Sequence, residues 1–130
     1  EIARYIENDT NYPIPPMTPF AGQNFNLTRA GIHADGLMKN PEIYNIFDTE
    51  SILNRPPKVS ITGTSGTAGI VFWLNHSYSR RGEKEYTKKD PLVAKLYEWV
   101  TDQFDNGRIT MISDAEMEEQ IATLCKAQDL

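Results

Sequence analysis

The chain has 130 residues, with 18 acidic and 13 basic side chains, and its formal net charge is −5. Proteins that bind nucleic acid need basic patches to neutralise phosphates, so this charge argues against a nucleic-acid partner. No apolar run approaches the roughly 20 residues of a membrane helix, which argues against a membrane protein. A hydrophobic fraction of 39% and a mean hydropathy of −0.51 are polar for a self-sufficient domain, so we expect part of the surface to face a partner.

The single cysteine bears on the compartment. Cys125 cannot form an internal disulfide and suits a reducing compartment, so we expect a cytoplasmic protein. Triplets that begin at Asn26 and Asn75 match the glycosylation sequon, but such triplets are frequent by chance. The sequence starts in a helical pattern at Glu1 rather than with methionine, and we interpret it as a piece of a longer protein.

The first twenty residues predict a helix followed by a connector. Ile2, Tyr5 and Ile6 have the spacing of one helical face. Four prolines between positions 13 and 19 follow. Each proline fixes its own backbone angle and restricts the residue before it, so this segment is expected to be stiff and extended.

Short elements are predicted in the middle of the chain. A helix is expected at about residues 29–37, and Pro41 starts another helical turn because proline fits the first helical position. Val59 and Ile61 alternate with polar residues, which is the period of a brief strand.

Three helices are predicted in the second half. Hydroxyl side chains at residues 64–67 can cap an apolar helix, Asp90 and Pro91 open an amphipathic one, and a capping box at residues 113–116 opens the last. The basic segment 79–89 is expected to be a solvated loop, with phosphate contact as the alternative.

The predicted fold class is mainly α, with helical subdomains, a long proline-rich connector and little or no β structure. We divide the chain into a linker (1–20), a subdomain at 21–62 and a helical subdomain at 63–130.

Most chemically reactive side chains have a structural interpretation. His33 and His76 lie far apart in sequence and one cysteine cannot build a zinc cluster, so no metal site is predicted. Cys125 is expected to be a small buried hydrophobe, and His76 to be structural or a partner of a helix C-terminus. Three glutamates at positions 116–119 favour the start of a helix rather than a carboxylate site.

His33 is the exception. It lies between Gly31 and Gly36, and glycine lets a backbone approach another group closely. Imidazole exchanges protons near neutral pH, so a histidine in this flexible frame predicts a site offered to a substrate.

The turn that contains Ser65 and Gly66 has two interpretations that the sequence leaves open. It can hold a phosphate at a helix N-terminus, although it lacks the lysine of a P-loop, or it can simply start a capped helix.

Two motifs carry a family resemblance. The stretch AGIHADGLMKNPEIYNIFD, residues 30–48, resembles the segment after the barrel in the family of 2-isopropylmalate synthase, homocitrate synthase and related citramalate and Re-type citrate synthases. The later GTSGTA, residues 63–68, resembles the family turn G-K-H-S-G-R-x-A, with Thr64 in place of histidine and Thr67 in place of arginine. These changes indicate a divergent branch. The first motif is approximately A-G-I-H-x7-P-x-x-Y-E, and the matching residues are Ala30, Gly31, Ile32, His33, Pro41 and Tyr44, with Asn45 replacing glutamate.

The resemblance implies a Claisen-type acyltransferase that condenses acetyl-CoA with a 2-oxo acid. The reaction would use a divalent metal, Mg or Mn, inside a TIM barrel that this chain lacks, and no cofactor is expected within the 130 residues themselves. Residues 21–62 would be a lid over an active site, packed on the barrel and on a second subunit of a homodimer. His33 and Tyr44 would be catalytic, the first in the proton path and the second by orienting the imidazole or the substrate, and Ser65 and Gly66 would bind substrate.

Two other functions stay open. One is a noncatalytic dimerisation and linker module of the same enzyme, which is favoured if His33 packs beneath other side chains. The other is a sensor for an end-product amino acid, although the usual sensor of this family is a further C-terminal domain.

Overall fold

A computed structural model gives the fold and describes residues 1–43, 45–79 and 84–126. Within these ranges helices dominate, as the sequence predicts, and the strands are two residues long and build no barrel. Strand β1 (Leu27–Thr28) pairs in parallel with β2 (Lys58–Val59). The α-helices are α1 (Ile2–Thr10), α2 (Gly31–Lys39), α3 (Thr49–Leu53), α4 (Gly66–Trp73), α5 (Pro91–Asp105) and α6 (Asp114–Lys126). The mainly α class is therefore confirmed.

Two predicted elements differ from the structure in their bounds. Helix α2 begins two residues later than expected, because Ala30 keeps an extended backbone with φ −88° and ψ 132°. Around Val59 the strand is short, and Ile61 instead makes an isolated antiparallel bridge with Ile112. Helix α4 continues into a π-helical turn, Leu74–Tyr78, and a 3-10 turn at Pro41–Ile43 follows α2.

The main hydrophobic core lies between α4, α5 and α6. Its buried residues include Trp73 of α4, Leu96 of α5 and Met117 of α6. The indole nitrogen of Trp73 donates to Oδ1 of Asp114 at 2.7 Å, which satisfies the one polar atom of this large side chain.

A second, smaller core joins the middle of the chain to α4. It consists of Ala34 and Leu37 from α2, Val59 from β2 and Phe72 from α4. These contacts cross the boundary that we drew between residues 62 and 63. The division into two subdomains stays a prediction.

The connector is held at its end by Arg55. The guanidinium donates hydrogen bonds to the carbonyl oxygens of Phe20, Gly22 and Gln23, and its central carbon lies 4.4 Å from the centre of the Phe25 ring. Helix α1, in contrast, buries none of its residues. The start of the chain is therefore exposed, whereas residues 20–25 are tied to the loop before β2.

The prediction for Cys125 is wrong, because this side chain is exposed. The buried residues of α6 are Met117 and Ile121. In the last turn of this helix Leu124 packs against the main core, so Cys125 lies on the solvent side.

The capping box at the start of α6 is present. Glu116 N–H donates to Ser113 Oγ at 3.3 Å, and Ser113 N–H donates to Glu116 Oε2 at 2.8 Å. Replacing Ser113 by alanine should lower the free energy of unfolding by about 1 kcal/mol, since one amide of the first turn loses its acceptor. Urea unfolding of the 130-residue chain measures this, with Thr110→Ala, an exposed change outside any helix, as the control. Equal midpoints and slopes for both variants would contradict a stabilising cap.

Candidate functional site

His33 lies in the first turn of α2 with an exposed side chain. The buried residues of this helix are Ala34 and Leu37. The frame of this histidine is therefore the helix predicted at about residues 29–37, and the expectation that the flanking glycines make this frame flexible is wrong. A helix holds a side chain in a defined direction, so His33 is presented to solvent from a fixed base.

The two sequence motifs meet at Gly31. Its N–H donates to the carbonyl oxygen of Thr64 at 3.0 Å, and a Cβ at this position would lie 2.1 Å from the carbonyl oxygen of Ser65. No side chain fits there, so the expectation that Gly31 permits a close approach is confirmed. The group approached is the GTSGTA turn of the chain itself, and we call this the Gly31–Ser65 contact.

Ser65 is completely buried in this contact. Its hydroxyl accepts a hydrogen bond from Thr62 N–H at 2.8 Å and lies 3.0 Å from the carbonyl oxygen of Ser60, to which it donates. Ser65 is the N-cap residue of α4, yet its side chain makes no capping hydrogen bond. The hydroxyl therefore holds the turn to the segment that follows β2, and Ser65 does not supply the cap that the sequence allows from the hydroxyls at residues 64–67.

Gly66 lies on the open side of the same turn. Its φ of +59° favours glycine, and a Cβ built on it would have no atom within 4 Å. Because the Ser65 side chain faces inward, its hydroxyl is not open to a substrate at this turn. Substrate binding by Ser65 and Gly66 stays a prediction.

Asp35 anchors the segment before α5 to α2. Its carboxylate oxygens lie 2.6 Å from the Nζ atoms of Lys39 and Lys88. The hydrogen bond from Lys39, and to a smaller extent the one from Lys88, lowers the pKa of the Asp35 carboxyl to about 2. Lys88 thus has a partner, although the segment 79–89 was predicted to be solvated. Arg80, Arg81 and Glu83 of that segment lie outside the described residues.

Tyr44, the second predicted catalytic residue, also lies outside the described residues. The neighbouring backbone forms the 3-10 turn Pro41–Ile43, in agreement with the helical turn predicted from Pro41. Joint action of His33 and Tyr44 stays a prediction.

An open cleft of about 790 Å³ is lined by residues on both sides of position 44 in the sequence, including Glu42 and Asn45. Glu42, Asp48 and Glu50 line it, and none of its described lining residues is a lysine or arginine. We call it the acidic cleft. An anionic ligand would meet three carboxylates and no balancing cation there, so the cleft is unfavourable for the anionic groups of a 2-oxo acid or of coenzyme A.

His76, for which the sequence predicts only a structural role or a place at a helix C-terminus, lines the acidic cleft. Its ring stacks on Phe72, with centroids 4.0 Å apart and planes within 7°, and its Nδ1 lies 3.0 Å from the carbonyl oxygen of Phe72. The spacing of these two residues, one helical turn apart, is the signal that could have revealed the pair.

The described ranges offer neither a metal cluster nor a membrane-spanning helix. No group of three or more histidine, cysteine, aspartate or glutamate side chains there could hold a metal ion. None of the helices in those ranges has the length and apolar character needed to cross a membrane.

Comparison with known proteins identifies relatives over most of the chain. A Re-citrate synthase of Syntrophus aciditrophicus is 46% identical over 93% of this chain and 19% of its own length. A 2-phosphinomethylmalate synthase of Streptomyces hygroscopicus is 39% identical over 77% of the chain and 22% of its own length. A 2-isopropylmalate synthase of Buchnera aphidicola is 33% identical over 73% of the chain and 18% of its own length.

The chain belongs to the 2-isopropylmalate synthase family. It spans about a fifth of the length of these relatives. No family-level sequence profile matches it. The resemblance seen in the two motifs is therefore confirmed at the level of the family, and the relatives in that family are synthases.

Proposed function

We propose that the protein containing this chain is a Claisen-type acyltransferase that condenses acetyl-CoA with a 2-oxo acid, and that residues 21–62 form a lid over its active site. The observation that carries this proposal is the Gly31–Ser65 contact. It joins the two motifs that resemble the family and leaves His33 exposed at the start of α2. An exposed imidazole on a fixed helix is what a lid residue needs in order to reach a substrate held elsewhere.

The chemistry gives His33 a specific task. A C–H bond of the acetyl methyl group breaks, its electron pair forms a bond to the carbonyl carbon of the 2-oxo acid, and the carbonyl oxygen takes up a proton. Water then cleaves the thioester into a carboxylate and the free thiol. The methyl group is a weak acid, so the first step needs a positioned base or proton relay, and imidazole suits that role near neutral pH. Tyr44 would orient the imidazole or the substrate through its phenol.

A divalent metal, Mg or Mn, belongs to the proposed reaction but not to this part of the protein. The described residues do not fit such an ion, since they bring no three suitable ligands together. We therefore assign the metal to the barrel and derive no step through it. We further propose a cytoplasmic location, where an exposed thiol such as that of Cys125 stays reduced.

The 130-residue chain by itself should be inactive, because the proposed metal and most of the substrate contacts lie in the barrel. Release of free thiol from acetyl-CoA is measured with magnesium or manganese and a panel of 2-oxo acids. Oxaloacetate comes first in the panel, because it is what remains when the acetyl unit is removed from citrate, the product named for one relative. Thiol release above the level of a heat-denatured sample would contradict the proposal.

The partners that we propose are the protein's own barrel and a second subunit of a homodimer. A run of apolar side chains beside the acidic cleft supports a covered surface, since each is more than a third exposed: Ile43, Ile46, Phe47, Ile52 and Leu53. Exposed apolar patches of this kind mark interaction sites. The same surface also suits the alternative, a noncatalytic dimerisation module. The two functions differ in one respect: in the dimerisation module, loss of the His33 imidazole would leave the chemical step intact.

Photo-crosslinking can test whether this surface is covered. Ile46 is 92% exposed and Ile109 is 95% exposed, so the two positions form a matched pair, and only Ile46 adjoins the acidic cleft. With p-benzoylphenylalanine placed at each position of the full-length protein, we expect crosslinks from position 46 to peptides outside the 130 residues and far fewer from position 109. Mass spectrometry identifies the peptides. Equal yields from both positions would contradict the proposed docking surface.

A further inference from the structure

A buried hydroxyl lies where the two motifs meet, and substrate binding does not account for it. Ser65 has no exposed surface, and its Oγ is within hydrogen-bonding distance of Thr62 N–H and of the carbonyl oxygen of Ser60. The carbonyl oxygen of Arg29, in the segment that leads into α2, is also near, at 3.3 Å. This one side chain therefore contacts both the segment between β2 and the turn and the entry to the helix that carries His33.

Glycines in both helices leave room for Ser65. A Cβ on Gly31 of α2 would lie 2.1 Å from the Ser65 carbonyl oxygen. Gly69 lies one turn after Ser65 within α4, and a Cβ there would lie 2.8 Å from the Cβ of Ser65. Neither position can accept a larger side chain without movement. The contact with Ser65 therefore helps to fix the start of α2 against the start of α4, together with the apolar contacts of the smaller core.

We propose that Ser65 is a positioning residue for His33. The inference rests on the proposed function, in which the imidazole of His33 belongs to the proton path. His33 lies two residues after Gly31 in the first turn of the same helix, so a shift of the Gly31–Ser65 contact moves the imidazole with it. A displacement of about 1 Å at a reacting group can cost about a hundredfold in rate. Ser65 therefore acts on the reaction through α2 and not by touching the substrate.

Removing the hydroxyl should loosen this contact. In Ser65→Ala, the Thr62 N–H loses its acceptor and the Ser60 carbonyl loses its donor. The turn can then shift, and α2 with it. In the proposed function the substrates bind in the barrel, so KM should depend little on this turn. We therefore expect kcat of the full-length synthase to fall at least about tenfold while KM changes less than about threefold, which is the scale for a group that is out of position.

A matched control lies five residues away. Ser60 is also buried, but its Oγ has no hydrogen-bond partner among the described residues. Ser60→Ala removes a buried hydroxyl of the same size without breaking a hydrogen bond. It should leave kcat within about twofold of the parent.

The decisive measurement is the double variant with His33→Ala in the full-length protein. If Ser65 acts through the imidazole, Ser65→Ala should lower kcat at least about tenfold in the parent. In the His33→Ala background the same change should lower kcat less than about twofold, because the group through which Ser65 acts is already absent. General loss of folded enzyme would lower kcat equally in both. Ser65→Cys, which keeps the size and a weak donor, should give intermediate activity and serves as the test if Ser65→Ala does not fold.

Two results separate the possible failures. Equal losses in both backgrounds, or a loss no greater than that of Ser60→Ala, would overturn the positioning role of Ser65. Full activity of His33→Ala alone would overturn the proposed function instead.

Discussion

Under the proposed function, replacing His33 by alanine in the full-length protein is expected to lower kcat by about a hundredfold or more, the usual scale for general acid-base groups. KM should rise less than kcat falls, because a group in the proton path contributes mainly in the transition state. Steady-state kinetics of thiol release gives both constants. The neighbouring Ile32, which is 75% exposed on the same turn, supplies the control, and Ile32→Ala should stay close to the parent.

The partnership with Tyr44 follows from the same assay. Tyr44→Phe keeps the ring and removes only the hydroxyl, so its loss in kcat reports the hydrogen bond that we propose. If the two side chains act as one unit, the double variant should lose much less than the product of the single losses. Multiplicative losses would mean independent roles. A kcat for His33→Ala equal to that of Ile32→Ala would contradict a catalytic His33 altogether.

Local patterns predict α5 and the start of α6 correctly but do not predict α3. The capping box at Ser113 and Glu116 is formed, and α5 begins at Pro91 and ends before Asn106, as the sequence signals indicate. Such features depend on side chains within one or two turns of each other, and the sequence displays that spacing directly.

The features that the sequence did not reveal depend on contacts between distant residues. The Gly31–Ser65 contact spans 34 positions, and the guanidinium of Arg55 binds carbonyls more than thirty residues earlier. No local periodicity encodes which loop a glycine will face or which backbone an arginine will reach. The sequence identifies Ser65 as a candidate site residue. It does not show that the side chain faces the interior, because that depends on the same kind of long-range contact.

The pair of His33 and His76 shows the same limit in the candidate site. The flanking glycines singled out His33, and one of them, Gly31, does make a close contact. His76 was set aside because it lies near the end of an apolar helix. Its place in the acidic cleft depends on residues 45–50 lying near Phe72 and His76, which is a tertiary contact.

Gly31→Ala should be among the most damaging small substitutions in this chain. In most helices a glycine-to-alanine change stabilises by about 0.4–1 kcal/mol, because alanine restricts the unfolded chain. Here the new Cβ would lie 2.1 Å from a backbone carbonyl oxygen, and a carbonyl in a packed turn cannot swing aside as a flexible side chain can. The expected result is a loss of about 1–3 kcal/mol in the free energy of unfolding, the usual cost of overpacking.

The reverse substitution at an exposed helical site provides the reference for this measurement. Ala122 is exposed in α6, and Ala122→Gly should cost about 1 kcal/mol through helix propensity alone. Urea unfolding gives the change in the free energy of unfolding for both variants. The value for Gly31→Ala measures the steric cost, and the value for Ala122→Gly measures the cost in helix propensity. If Gly31→Ala retains the fold, its kcat in the full-length protein should fall with KM nearly unchanged, because α2 must move away from Ser65 and carry His33 with it. A Gly31→Ala variant as stable and as active as the parent would mean that α2 can shift without consequence, and the close contact would then have no part in placing the imidazole.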